Sequence, residues 1–167
     1  NPSAHLAIVD IVLGVADILP IRGFGYLVPR NATNNSDEIL GVIFDSDAVP
    51  NQSQRLTKLT VMMGGPYWRH RSSFPNEDDV KERALRALHS QLGLSLLTLT
   101  SHLENIYARV MTDTIPQYLV GHPQRMAELK AAIKMHPQWR NRLSLLGYSY
   151  GGVGVNDCIA NAMDTCD

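Results

Sequence analysis

The chain has 167 residues, of which 44% are apolar and 19% charged, with 12 Gly and 9 Pro. That is the composition of one folded domain, not of a disordered segment. Its 15 basic and 16 acidic residues leave a net charge of -1, which argues against a dedicated nucleic-acid binder, because such proteins need a basic footprint to release counterions. Two cysteines, Cys158 and Cys166, exclude a disulfide-dense scaffold. The apolar stretch Ala7 to Ile21 is interrupted by Asp10, Asp17 and Pro20 and is too short and too charged to span a bilayer. The sequence starts at Asn1, without Met and without a basic segment ahead of an apolar one. We therefore expect a fragment without a signal peptide.

In chain order, Ile8 to Val15 is short and β-branched and predicts a buried strand. Gly23 to Pro29 predicts a second, with flexible glycines at its start and Pro29 at its end. Asn31 to Asp37 is a polar turn cluster. Ile39 to Asp45 and Leu56 to Met63 predict a third and a fourth strand, the latter closed by Gly64-Gly65-Pro66. Short connections favour antiparallel neighbours. Beyond Pro75 the period changes. Asn76 predicts an N-cap with Asp79 as its capping-box partner. Val80, Ala84, Leu88 and Leu92 recur at helical spacing, and Gly93 sits where a terminating glycine belongs. Asn105 to Asp113 predicts a strand. Pro123 to Met135 predicts a second helix, with its proline in the first turn. Leu143 to Gly147 predicts a last strand, followed by a glycine-rich turn and a helix from about Asn156.

The strongest local pattern is that strand, turn and helix over Leu143 to Ile159. Its glycines permit close backbone approach, and a helix N-terminus offers N–H groups to a ligand. It is not the dinucleotide fingerprint, because the third glycine position is Asp157. A plain βα turn explains the pattern as well. Gly23-Phe24-Gly25 exposes backbone too, but a strand entry or bulge would account for it. Gly64-Gly65 reads as a strand end. The 6 histidines show no metal-ligand spacing, so no metal is expected. Trp68-Arg69-His70-Arg71 reads as a solvated loop, with contact to a carboxylate-bearing ligand as its functional alternative. Cys158 and Cys166, eight positions apart on the last helix, would stand roughly 12 Å apart along its axis, too far for a disulfide. Reduced core thiols are expected. N-x-[ST] patterns begin at Asn31, Asn34 and Asn51 and matter only in a secreted protein. No nucleophile–base order, paired-carboxylate motif or phosphate loop emerges, so no catalytic residue is assigned.

Three segments together resemble the C-terminal part of the oxygen-dependent protoporphyrinogen oxidase family, within the flavin amine oxidase-like superfamily. The first is Leu19-Pro20-Ile21-Arg22-Gly23-Phe24-Gly25-Tyr26-Leu27-Val28-Pro29, with Ile39 to Ser46 and Leu59 to Gly65 behind it. The second is Ile115-Pro116-Gln117-Tyr118 with Gly121-His122. The third is Gly147 to Ile159. Their order and spacing follow the family, and the likeness covers nearly the whole chain from about Val9. The match is poor over Gly14 to Asp17.

The resemblance implies an α+β fold: an antiparallel or mixed sheet of the substrate domain plus helices, ending in a strand, glycine turn and helix that pack in the FAD-binding domain. Residues 1–135 would be the substrate-domain portion (sheet about 8–65, helices about 76–93 and 123–135), and 136–167 the return to the FAD domain. It also implies that Phe24, Gly25 and Leu27 line the porphyrinogen pocket, Phe24 by stacking on a pyrrole ring and Gly25 by letting the macrocycle approach. Val153, Gly154 and Val155 would lie along FAD. The family often has alanine at Gly154 and Ser-Gly at Asn161-Ala162. The implied reaction takes protoporphyrinogen IX to protoporphyrin IX with O2 in heme synthesis, at the mitochondrial inner membrane. The partners would be the missing N-terminal part of the enzyme, a membrane through that absent region, and a second copy in a homodimer. The chain alone would be inactive. Two other readings stand beside this one. The first is a different flavin amine oxidase or desaturase. The second is a non-catalytic ligand-binding fragment without the FAD fingerprint.

Overall fold

The computed structural model describes residues 2–49, 55–140 and 142–166. The fold is α+β. Among the described residues five strands form one sheet: β1 (Ser3–Leu13), β2 (Gly25–Leu27), β3 (Ile39–Ile43), β4 (Thr57–Gly64) and β5 (Leu103–Pro116), in the order β2-β3-β4-β1-β5. The ladders β1–β4, β2–β3 and β3–β4 are antiparallel. Among the described residues five helices accompany them: α1 (Asp45–Ala48), α2 (Glu77–Leu92), α3 (Leu96–Ser101), α4 (His122–Met135) and α5 (Val155–Cys166). The chain divides into two compact units, residues 5–112 and residues 1–4 with 113–167. No helix among the described residues is long and apolar enough to cross a membrane.

In the first unit, strand alternation builds the core. Ala7, Val9, Ile11 and Leu13 of β1 are buried on one face, as are Leu59, Val61 and Met63 of β4, because successive side chains of a strand point to opposite faces. Helix α2 adds Val80, Ala84, Ala87 and Leu88 to the same cluster. Its start is a capping box: Asn76 accepts from the Asp79 N–H at 2.9 Å, and Asp79 accepts from the Asn76 N–H at 3.3 Å. Its end is Gly93 in the left-handed region, φ 71°. Both termini fall where the residue types placed them.

Several expectations need correcting. The strand expected at Leu143 to Gly147 does not form: that segment is coil. A strand needs a neighbour to accept its ladder bonds, and no described strand pairs with it. The first strand begins earlier, at Ser3, and ends before Gly14. The second is three residues long and leaves Gly23 and Phe24 outside it. Helices α1 and α3 are short and lack the long apolar period that marks a helix in sequence.

The stretch read as a solvated loop is partly core. Trp68 is fully buried in a 3-10 turn, Gly65–Trp68. Its indole N–H donates to Glu38 at 2.9 Å. A side chain at Gly64 would run into that indole ring, so Gly64 makes room for Trp68 as well as ending β4. Glu38 also pairs with Arg83 at 3.0 Å and with Arg71, which gathers the cluster around one carboxylate. Asn35, within the expected polar turn, is buried and brackets Ile39, donating to its carbonyl and accepting from its N–H at 2.8 and 2.9 Å. Asn31 and Asn34 are exposed, and Asn51 lies outside the described residues.

Candidate functional site

The two sets of expected binding residues fall in different compact units. Phe24, Gly25 and Leu27 lie at β2, an outer strand of the sheet. Gly25 has φ +144° and a Cβ there would strike the Val42 carbonyl oxygen, so the close β2–β3 approach requires glycine. Opposite Leu27, Gly41 leaves equally little room, this time beneath the Tyr26 carbonyl. The strand thereby sits tight on β3, with Leu27 exposed at 81% and Phe24, just ahead of it, at 71%. Between them Tyr26 turns inward. It meets Phe44 edge-on at 6.0 Å and donates to Gln91 Oε1 at 2.8 Å. Burial pushes its phenol up to about 12, so it stays neutral through the physiological range.

The segment leading into β2 is held by charge. Arg22 donates to Asp47 at 2.7 Å and to Asp17, and the Gly23 N–H donates to the other Asp47 oxygen at 3.1 Å. The Gly23 bond and then Arg22 hold the Asp47 carboxyl below the usual carboxylate range. The two carboxylates raise Arg22 in turn, the Asp47 hydrogen bond contributing most. Phe24 itself is anchored through its backbone, its carbonyl accepting from the Phe44 N–H at 2.9 Å. The result is a large aromatic face presented to solvent on a fixed backbone.

In the other unit, Val153, Gly154 and Val155 end the glycine turn and open α5. Val153 is 50% exposed and Val155 76%. The turn is closed from within. The Gly154 N–H donates to Asp157 Oδ2 at 3.1 Å, and Asn161 Nδ2 donates to the Gly151 carbonyl at 3.2 Å. A Cβ at Gly152 (φ +143°) would collide with Asp157, and one at Gly151 with Asn161. At Gly152 the positive φ and the base of the Asp157 side chain demand glycine, whereas at Gly151 only the movable end of Asn161 stands in the way. Cys158 is a free, half-buried thiol whose sulfur lies 3.7 Å from the Gly152 carbonyl. It belongs to the turn rather than to the core that was expected for it.

Two residues outside the expected set reach into the same turn. Tyr118 Oη accepts from the Gly152 N–H at 2.9 Å and donates to the Tyr148 carbonyl. His122 Nε2 donates to the Ser149 carbonyl at 3.1 Å and is only 3% exposed. The two rings stack on each other, centroids 3.9 Å apart and 10° from parallel. The second and third motif segments are thus one assembly. Among the described residues no group of three His, Cys, Asp or Glu could hold a metal.

The chain matches no protein-family profile. It is 36% identical over 168 residues to the protoporphyrinogen oxidase of Schizosaccharomyces pombe, covering 99% of this chain and 32% of that protein. To the protoporphyrinogen oxidase of Homo sapiens it is 35% identical over 146 residues, covering 84% of this chain and 28% of that protein. The chain resembles the C-terminal portion of protoporphyrinogen oxidase. It spans about a third of the length of these protoporphyrinogen oxidases. A crystal structure from Exiguobacterium sp. 255-15, provisionally named a protoporphyrinogen oxidase, shares the fold at a TM-score of 0.75 and 23% identity, over 98% of this chain and 34% of that one.

The turn can be tested against the flavin that the sequence resemblance implies. A flavin ring system offers broad flat faces and a polar edge. Val153 and Val155 present exposed apolar side chains with glycine backbone between them, which fits one side of such a group. The Gly152 and Gly154 N–H groups are already engaged by Tyr118 and Asp157. Contact would therefore fall mainly to the valines, not to the amides that the bare sequence suggests.

Proposed function

We propose that this chain is the C-terminal portion of an FAD-dependent protoporphyrinogen IX oxidase and works within a longer polypeptide, not alone. The observation that carries this reading is similarity to protoporphyrinogen oxidase at 36% identity along 99% of the chain. In this reading residues 1–135 contribute to the substrate domain and residues 136–167 return to the FAD-binding domain. The remainder of the enzyme supplies the dinucleotide fingerprint and the membrane-binding region at the mitochondrial inner membrane.

On the substrate side, Phe24 offers an exposed ring for stacking on a pyrrole of protoporphyrinogen IX, while Gly25 and Leu27 shape the adjoining wall. On the cofactor side, Val153, Gly154 and Val155 pack along FAD and exclude water from it. Bound FAD would supply the redox chemistry, taking hydride equivalents from the porphyrinogen and passing them to O2 to give protoporphyrin IX and hydrogen peroxide. The chain's own residues bind, orient and desolvate; we assign none of them an acid–base role.

The test uses the complete polypeptide. Visible absorption after desalting reports retained flavin, and protoporphyrin fluorescence with oxygen uptake reports turnover. The expected result is a stable flavin band and aerobic production of protoporphyrin. Retained flavin without porphyrinogen turnover would point to another flavin oxidase, and no flavin at all would favour a binding protein. Val153→Asp should weaken FAD binding roughly tenfold or more, because a carboxylate pressed against the cofactor loses its water. Unchanged flavin content would remove Val153 from the site.

A further inference from the structure

Tyr118 and His122 sit far from the turn in sequence, yet they hold three of its consecutive or near-consecutive residues. Tyr118 ties Tyr148 and Gly152 together through one hydroxyl, and His122 takes the Ser149 carbonyl between them. The tyrosine needs both its donor and its acceptor capacity. The histidine must carry a proton on Nε2, since a carbonyl can only accept. Stacking at 3.9 Å fixes the two rings against each other, so neither can leave its bond without disturbing the other. The helix that carries His122 begins at this point: Gly121 is its N-cap at φ 82°, and Pro123 occupies the first turn. The backbone that presents Tyr118 is also tied down, the Gln117 N–H donating to the Pro2 carbonyl at 2.7 Å.

From the other end, Asp157 and Asn161 of α5 hold Gly154 and Gly151. The turn is thus gripped on both sides, and Val153 is the residue left between the two grips. We propose that Tyr118 and His122 are positioning residues for FAD: they set the path of Tyr148 to Gly152 and thereby aim Val153 and Val155 at the cofactor. The inference rests on the cofactor-side reading given above and deepens it. It assigns a task to the Ile-Pro-Gln-Tyr and Gly-His segment. Tyr118 and His122 themselves act through the turn, not by touching the reacting atoms.

The experiment compares Tyr118→Phe, His122→Ala and His122→Gln in the complete polypeptide. Hydrogen exchange of peptides covering residues 147–157 reports the turn, measured with and without FAD. FAD titration gives Kd, and steady-state kinetics give KM for protoporphyrinogen. Tyr118→Phe leaves the Gly152 N–H and the Tyr148 carbonyl without their partner. We expect roughly tenfold faster exchange at Gly152 and a roughly tenfold higher FAD Kd, with KM changed less than about twofold. His122→Ala should act in the same direction. His122→Gln keeps an N–H donor and should recover most of the loss, which also guards against reading an unfolded variant as a positive. Exchange within α4 should stay slow in Tyr118→Phe. Faster turn exchange with an unchanged FAD Kd would overturn the inference, and so would an unchanged turn. If Val153→Asp weakens FAD while the Tyr118 and His122 variants do not, this proposal fails and the cofactor-side reading survives. If Val153→Asp also leaves FAD unaffected, the reading itself fails.

Discussion

The two compact units are ordered by different forces. In residues 5–112 the largest fully buried side chains, from Trp68 and Phe44 to Ile11, Leu13 and Leu59, form one apolar cluster. In residues 113–167 Ile133 is buried but Tyr148, Val153, Val155, Ile159 and Met163 are largely exposed. What organises that unit locally is polar: Tyr118, His122, Asp157 and Asn161 each hold backbone of the glycine turn. Apolar burial is non-directional and tolerates small shifts. Hydrogen bonds to backbone fix direction and distance. A core-built unit suits a scaffold that carries a rigid edge strand. A bond-built turn suits a surface that must meet a ligand in one orientation.

That contrast can be broken most directly at Trp68. Trp68→Ala removes a fully buried ring and the Glu38 acceptor's indole partner. It should cost about 3–5 kcal/mol of stability, read as a fall in the denaturant midpoint of the complete protein. A change well below 1 kcal/mol (about the size of a surface substitution) would mean that the ring is not core. A smaller effect is expected at the start of α2. Asn76→Ala deletes half of the capping box and should cost about 1 kcal/mol, also visible in the midpoint. An unchanged midpoint would show that packing alone holds that helix.

The smallest effect concerns charge at the entry to β2. Asp47 is held below its ordinary range in the folded protein, so its contribution is present above the unfolded carboxylate value. It is lost as pH falls through the lower, folded value. The exposed Arg22 is strongly screened by solvent, so its pairing with Asp47 adds little. Stability measured against pH should therefore show an acid limb that is shallower in Asp47→Asn than in the parent. Identical acid limbs would mean that the Arg22–Asp47–Gly23 contacts carry no stability.

Much of the first unit was legible because alternation and caps are local signals. The strands at Ile39 and Leu56, the Asn76 cap and the Gly93 stop each announce themselves within a few residues. The burial of Trp68 was not legible, because it depends on Glu38, thirty positions away. The same is true of Tyr118 and His122, whose partners lie 27 to 34 positions further along. In the sequence Asp157 marks only where a dinucleotide fingerprint fails, yet its carboxylate accepts from the Gly154 N–H and closes the turn. Leu143 to Gly147 reads as a strand but is coil, because periodicity reports what a segment can bury, while a strand also needs a partner for its backbone. The exposure of Phe24 and Leu27 has no local signal in the sequence.

The measurement that tests the account most directly sets Phe24→Ala beside Val153→Asp in the complete polypeptide, with flavin content and protoporphyrin formation followed in each. The effects of the two substitutions should separate. Phe24→Ala keeps its flavin and loses porphyrinogen turnover, whereas Val153→Asp loses flavin and turnover together. Full flavin content and full turnover in both variants would contradict it, and would remove these two surfaces from the function of the enzyme.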